Sequence, residues 1–292
     1  MPPAPAVQFA RDQARQRLHA VRHQIHSAAH RPEDPEAIHD LRVSIRRFTQ
    51  CVRAFRTLFD PKPIKKLRRR LHKLMDLCGN VRTCDVALDV FKTAGVTDPA
   101  LLSRIRAARA EAESSLRDNL RKQHLHRHSV WALKLPVRNA RAADWNVDST
   151  MAANLSAVLP GLVDEFFAAG KVAATATGDP AALHLFRLKT KHFRYTLELF
   201  ASFYGEEFQA GLKSLKRVQD RLGDVNDCVS ILPLLAGDAA AQAAVQKLLA
   251  KRVKEFAAHW KRTFPETKLE GWRKWLGNPA PPAVKDIARL NQ

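Results

Sequence analysis

Apolar residues at Ile38, Leu41, Ile45, Phe48, Val52, Phe55 and Phe59 are separated by three and four positions in alternation. That is the spacing of one helix face packed in a bundle. Moving 145 positions along the chain reaches Leu183, Phe186, Thr190, Phe193, Leu197, Phe200 and Tyr204, of which six are apolar or aromatic. A second pair of series lies 144 positions apart, with Ile64, Leu67, Leu71, Leu74, Cys78 and Val81 matching Phe208, Gly211, Leu215, Val218, Leu222 and Val225. Gly79 coincides with Gly223, and Cys84 with Cys228. The chain therefore carries an internal repeat of a helical unit. Each glycine sits at a helical spacing, where it either permits close helix approach or breaks the helix.

Further helices are predicted over about 6–29 and 100–129 in the first half, and about 149–169 and 239–263 in the second. Punctuation falls between them at HRPEDPE (30–36), DPKP (60–63), TDP (97–99) and TGDP (177–180). Proline stops a helix and Asp caps the next one. The predicted fold is all-α, two pseudo-symmetric four-helix bundles in one domain over residues 5–278. Repeat one covers about 5–135, a linker about 136–148 and repeat two about 149–278. A short tail is expected from about GWRKWLGNPAPP onward, with residues 279–292 outside the domain. No β pattern competes.

Composition agrees with a globular chain. The 292 residues are 46% apolar, enough for a core, with 11 glycines and 14 phenylalanines. Charge changes the picture more. Forty-nine Lys and Arg against 29 Asp and Glu leave +20, which points to polyanionic partners. The excess is uneven: residues 1–146 hold 29 cations and 14 anions, residues 147–292 hold 20 and 15. The four cysteines show no Cys-x-x-Cys spacing and are expected to be small buried residues. No apolar signal core opens the chain and no run reaches the ~18 apolar residues of a membrane span, so the expectation is a soluble cytoplasmic protein without a membrane partner.

On the helix defined by Ile38 and Leu41, the residues His39, Arg42, Arg46 and Arg53 form one stripe. The second copy supplies His184, Arg187, Lys191 and Arg194. The densest run, KPIKKLRRRLHK (62–73), contains no acid, and its counterpart supplies Lys213, Lys216, Arg217 and Arg221. Like charges at this spacing repel by ~0.2–0.5 kcal/mol per pair. A repeated, uncompensated stripe is best explained as a site for a polyanion. Phosphate suits it, since Arg offers a planar fork of donors and Lys a mobile point charge. The phenylalanines of both repeats fall on the inward face, leaving Tyr195 as the main exposed aromatic for stacking bases. No groove-entering module for duplex DNA is present.

The stretches IHDLRVSIRRF, LCGNVRTCDVAL, LHLFRLKTKHFRYTLELF and VQDRLGDVNDCVSIL resemble the conserved histidine α-helical domain (CHAD) family, over about residues 6–275. The resemblance implies two helical bundles whose basic faces meet around a groove or pore. It also implies binding of inorganic polyphosphate and association with polyphosphate granules. By the same resemblance His39, Arg42, Arg46, His184, Arg187, Lys191 and Arg194 line the anion site. Basic residues of the glycine helices stand beside them: Lys65, Lys66, Arg69, His72, Lys73 and Arg82 in the first copy, Lys213, Lys216 and Arg217 in the second, with Arg47 added from beside Arg46. Two departures stand out. Thr83 occupies a position where Asp is usual, with Asp85 kept, and His72 matches Lys216 where a permanent charge is common.

Other constellations carry less. His19, His23, His26 and His30 fall at 4-3-4 spacing on one helix, where no carboxylate or cysteine completes a metal set apart from the more distant Glu33 and Asp34, so helix surface is the preferred reading and a stripe flanking the anion groove the next. HLHRH (124–128) scatters its histidines around a helix. There is no phosphate-cradling Gly-rich loop, and EAES (111–114) lacks the Glu-x-Glu-x-Lys pattern of tripolyphosphate-tunnel enzymes. Asp85, Asp220 and Asp227 are the nearest carboxylates for metal-assisted hydrolysis, and ion pairs or packing explain them as well. The reading is a non-catalytic polyphosphate binder needing no cofactor. Non-specific nucleic-acid binding is the alternative and a polyphosphate phosphatase the third hypothesis. The pattern carries no information about oligomeric state.

Overall fold

The structure is a computed structural model and describes residues 5–125, 145–146, 149–176 and 179–279. The expected linker apart from Trp145 and Asn146, the side chains of HLHRH and the tail beyond Pro279 lie outside the described residues. Among the described residues there is no strand. The fold is all-α. Two compact units divide the chain, one spanning Val7–Ala142 and the other comprising the remaining residues.

The first unit contains α1 (Pro5–His30), α2 (Pro35–Ala54), α3 (Pro61–Ala94) and α4 (Pro99–Leu125). The Asp-Pro signals act as helix starts. Asp34 accepts from the Glu36 amide at 2.9 Å, Asp60 from Lys62 at 3.0 Å and Asp98 from Ala100 at 2.9 Å. In each case the carboxylate satisfies an orphan amide of the first turn while proline supplies the fixed φ. Gly95 ends α3 in the left-handed region at φ 75, which only glycine adopts without cost. The alternating series is buried throughout: Ile38, Leu41, Ile45, Phe48, Val52 and Phe55 on α2, and Ile64, Leu67, Leu71, Leu74, Cys78 and Val81 on α3.

The second unit contains α5 (Met151–Thr175), α6 (Pro180–Leu199), α7 (Glu207–Ile231), α8 (Ala239–Thr263) and α9 (Leu269–Leu276). Asp179 caps α6 as Asp34 caps α2, and both helices are 20 residues long. The expectation of a tail from GWRKWLGNPAPP is corrected here. The residues GWRKWL form most of α9, a short amphipathic helix whose Trp272, Trp275 and Leu276 give it an apolar face to bury. Arg273 pairs with Asp164 of α5, Leu276 is fully buried, and Tyr204 donates to its carbonyl at 2.8 Å. Among the described residues this unit therefore carries α9 in addition to the four helices α5–α8 of its bundle.

Aromatic rings dominate its core. Phe166 meets Phe186, Phe193, Trp260 and Phe264 at centroid distances of 5.4, 4.9, 5.4 and 5.3 Å. Gly170 makes room for that cluster, because a Cβ there would lie 2.1 Å from the Trp260 ring. Gly211 similarly admits Trp275, 2.8 Å from a would-be Cβ. Gly79 and Gly223 break neither helix, since α3 and α7 run through them. All four cysteines are buried and unbridged, and burial pushes the thiols of Cys51 and Cys78 up to about 12.

Candidate anion-binding site

In the first unit α2 and α3 run side by side, and Arg42 crosses between them. Its guanidinium donates to the Met75 carbonyl at 3.1 Å and lies 3.3 Å from the place a Gly79 Cβ would occupy. Gly79 is thus a close-approach position, for an arginine and not for a helix backbone. Arg46 sits one turn on, its Nε donating to the Arg42 carbonyl at 3.2 Å. His39 feels both Arg46 and Arg82. Burial is the main cause that lowers its pKa, with the two arginines acting in the same direction and Glu36 and Asp40 opposing them. Two helices therefore contribute to one ladder, in which the cations Arg42, Arg46 and Arg82 surround His39.

Next to it lies a groove of 970 Å³ between the end of α2, the following 3-10 turn Arg56–Leu58, and the first half of α3. The predicted residues Lys65, Arg69, His72 and Lys73 line it, together with Arg53, Arg56 and Arg68. Among the described residues Asp76 is the one carboxylate in the lining, and its carboxylate accepts from His72 Nδ1 at 2.8 Å when that nitrogen carries the proton. Arg47 and Lys66 are exposed but lie outside that lining. Helical spacing placed Arg53 in the stripe and Arg68 in the dense basic run, but neither was carried into the set of anion-site residues, and Arg56, in the 3-10 turn beyond α2, lay outside any helical series.

The second unit handles the corresponding charges differently. His184, Lys213, Lys216 and Arg217 are exposed, and Arg187 and Lys191 are half-buried. His184 Nδ1 lies 3.2 Å from Asn226 Oδ1, and Lys216 pairs with Asp220 at 2.7 Å. Arg194 departs from the expected anion-lining role: it is 8% exposed, donates to Gln219 at 2.9 Å and pairs with Glu198. It braces α6 against α7. Tyr195 is also corrected, being 5% exposed and therefore no platform for a base. One concavity of this unit, of 610 Å³ between α5, the end of α8 and α9, is walled by Phe167, Trp260, Phe264 and Leu269. Its rim charges Lys171 with Glu266 and Arg273 with Asp164 are already paired.

The carboxylates weighed for catalysis have structural partners. Asp85 receives the Arg109 Nε at 2.7 Å, Arg109 also pairs with Glu113, and Asp220 holds Lys216. Among the described residues no three His, Cys, Asp or Glu side chains converge to hold a metal ion. His19, His23, His26 and His30 lie exposed along α1, with His30 Nδ1 2.8 Å from the His26 carbonyl. No helix among the described residues is long and apolar enough to cross a membrane.

Comparison with known proteins fits this geometry. The chain is similar in fold to the crystal structure of the CHAD domain from the plant Ricinus communis, with a TM-score of 0.60 and 21% identity over 95% of this chain and 94% of that one. It is also similar to PptA from Streptomyces chartreusis, with a TM-score of 0.61 and 19% identity over 90% and 99%. No curated protein matches the sequence. The CHAD domain model matches residues 12–236, and the chain belongs to the CHAD domain family.

Proposed function

We propose that the protein is a non-catalytic binder of inorganic polyphosphate, gripping the chain of phosphates through the cationic stripes of α2–α3 and α6–α7. Membership of the CHAD family supports a polyphosphate-related role. The observation that carries the finer reading is the first unit's clustering of His39, Arg42, Arg46 and Arg82 beside the basic groove, with Asp76 the one carboxylate among the described residues of its lining. Such a surface attracts phosphate by many charge-assisted contacts and by counterion release, which makes affinity fall steeply with salt. A binding groove or pore formed by both bundles, and attachment to polyphosphate granules, are part of the same reading. We take the domain to run from about residue 5 to 278.

Non-specific nucleic-acid binding is less well supported, because the aromatic side chain best placed for base stacking, Tyr195, is buried. A phosphatase reading is less well supported, because Asp85 and Asp220 are both engaged in ion pairs. Competition between long-chain polyphosphate and duplex DNA at ~0.2 M salt and equal phosphate concentration tests the proposal. Polyphosphate is expected to win clearly; equal competition would overturn it. Colocalisation of a fluorescent fusion with polyphosphate granules tests the attachment.

A further inference from the structure

We infer that the groove at the α2–α3 corner of the first unit is a distinct anion-binding section, which takes the polyphosphate chain beyond the His39–Arg46 ladder. The inference rests on the polyphosphate reading and extends it to Arg53, Arg56 and Arg68. The groove is concave, at 970 Å³, and its cations stand over the buried apolar residues Val52, Phe59 and Ile64. An anion seated there has low-dielectric protein on one side, so its attraction to the arginines is screened less than on a flat surface. The α3 cations recur every three or four residues, so they run along the groove and do not wrap around the helix.

From Lys65 to Asp76 the helix rises about 16 Å, a length matched to several consecutive phosphates and not to a single one. Asp76 stands at the end of the groove towards Arg42, whose guanidinium contacts the neighbouring Met75 carbonyl. It is the one negative charge between groove and ladder on α3, since residues 61–75 and 77–84 contain no acid. Its carboxylate interrupts an otherwise continuous track, and neutralising it joins the two sections.

Calorimetric titration of the full chain with long-chain inorganic polyphosphate at several salt concentrations tests this. Replacing Arg53, Arg56 and Arg68 together by Gln is expected to weaken binding about tenfold and to lower the slope of log K against log salt by about two. Asp76→Asn is expected to tighten binding about threefold, a gain that loss of a purely structural contact does not produce. Unchanged affinity and slope in the triple variant, with no gain in Asp76→Asn, would overturn the groove. If Arg42→Gln/Arg46→Gln then still lost affinity, the polyphosphate reading itself would survive. Absence of polyphosphate binding by the unmodified chain would sink both.

Discussion

The helix pairs α2–α3 and α6–α7 repeat the same buried pattern but treat their charges in opposite ways. Both open on Asp-Pro and both bury the alternating apolar series. On α2–α3 the cations crowd together, with Asp76 the one acid among the described residues lining the groove. On α6–α7 carboxylates have moved in: Glu198, at the position matching Arg53, holds Arg194, and Glu255 of α8 approaches Arg221 at 4.0 Å, while Asp220 holds Lys216 much as its counterpart Asp76 meets His72. The matched positions Arg82 and Asn226 show the difference most directly, one adding a charge beside His39 and the other a neutral amide beside His184. A repeat conserves what the core needs, while each surface position answers to its own neighbours.

The contrast in cores gives the largest expected effect. Gly170→Ala drives a Cβ into the rigid Trp260 ring and is expected to destabilise the second unit by about 3 kcal/mol, read as a lower urea midpoint. Gly223→Ala meets nothing within 4 Å inside α7 and is expected to stabilise by ~0.5–1 kcal/mol. Equal losses from both would mean that the aromatic packing does not control the second unit.

Charge removal breaks the comparison next. Arg42→Gln/Arg46→Gln is expected to lower polyphosphate affinity about tenfold, or ~1.4 kcal/mol. Lys213→Gln/Lys216→Gln is expected to cost about threefold, because Lys216 already spends part of its charge on Asp220. The two losses, compared by titration at one salt concentration, measure how unevenly the units share the ligand.

The matched glycines sharpen the comparison further. Gly79→Ala requires the Arg42 guanidinium to shift by a few tenths of an ångström, and is expected to lower affinity about twofold while leaving thermal stability near that of the parent. Gly223→Ala, with no arginine in the equivalent place, is expected to leave affinity unchanged.

The smallest effect is on pH. Burial, helped by Arg221, Arg262 and Arg217, lowers the pKa of His259 in the second unit. As pH falls below the ordinary value of 6.5, the unfolded chain takes up that proton first. The stability contributed by a neutral His259 is therefore present above pH 6.5 and lost below it. His39 acts in the same direction in the first unit, through burial first. In His259→Gln the drop in urea midpoint between pH 7 and pH 5 is expected to shrink.

Helix starts were readable because an Asp carboxylate two residues before the second amide of a helix is a local device, independent of the rest of the fold. The basic stripe on α2 was readable for a similar reason, as helical spacing alone places Arg42 and Arg46 on one flank. Arg194 has the same spacing and the opposite fate. Gln219 lies 25 residues away on α7, and no local pattern says that the two will meet. Helix α9 escaped notice because eight residues between a Pro and a Gly are marginal as a helix in isolation and form one only by packing on α5.

The sequence by itself determined an all-α chain, the buried faces of its repeated helices and the sign of its charged surface. These follow from periodicity and composition, which act over a few residues. Tertiary structure decided how the cations are grouped. A guanidinium braced against a carboxylate on its own helix, as Arg194 is by Glu198, is held inside the fold, whereas the α2–α3 groove gathers Arg53, Lys65, Arg68, Arg69 and Lys73 with Asp76 the one acid among its described lining residues. That outcome depends on which helix packs beside which, and so on contacts between residues far apart in the chain.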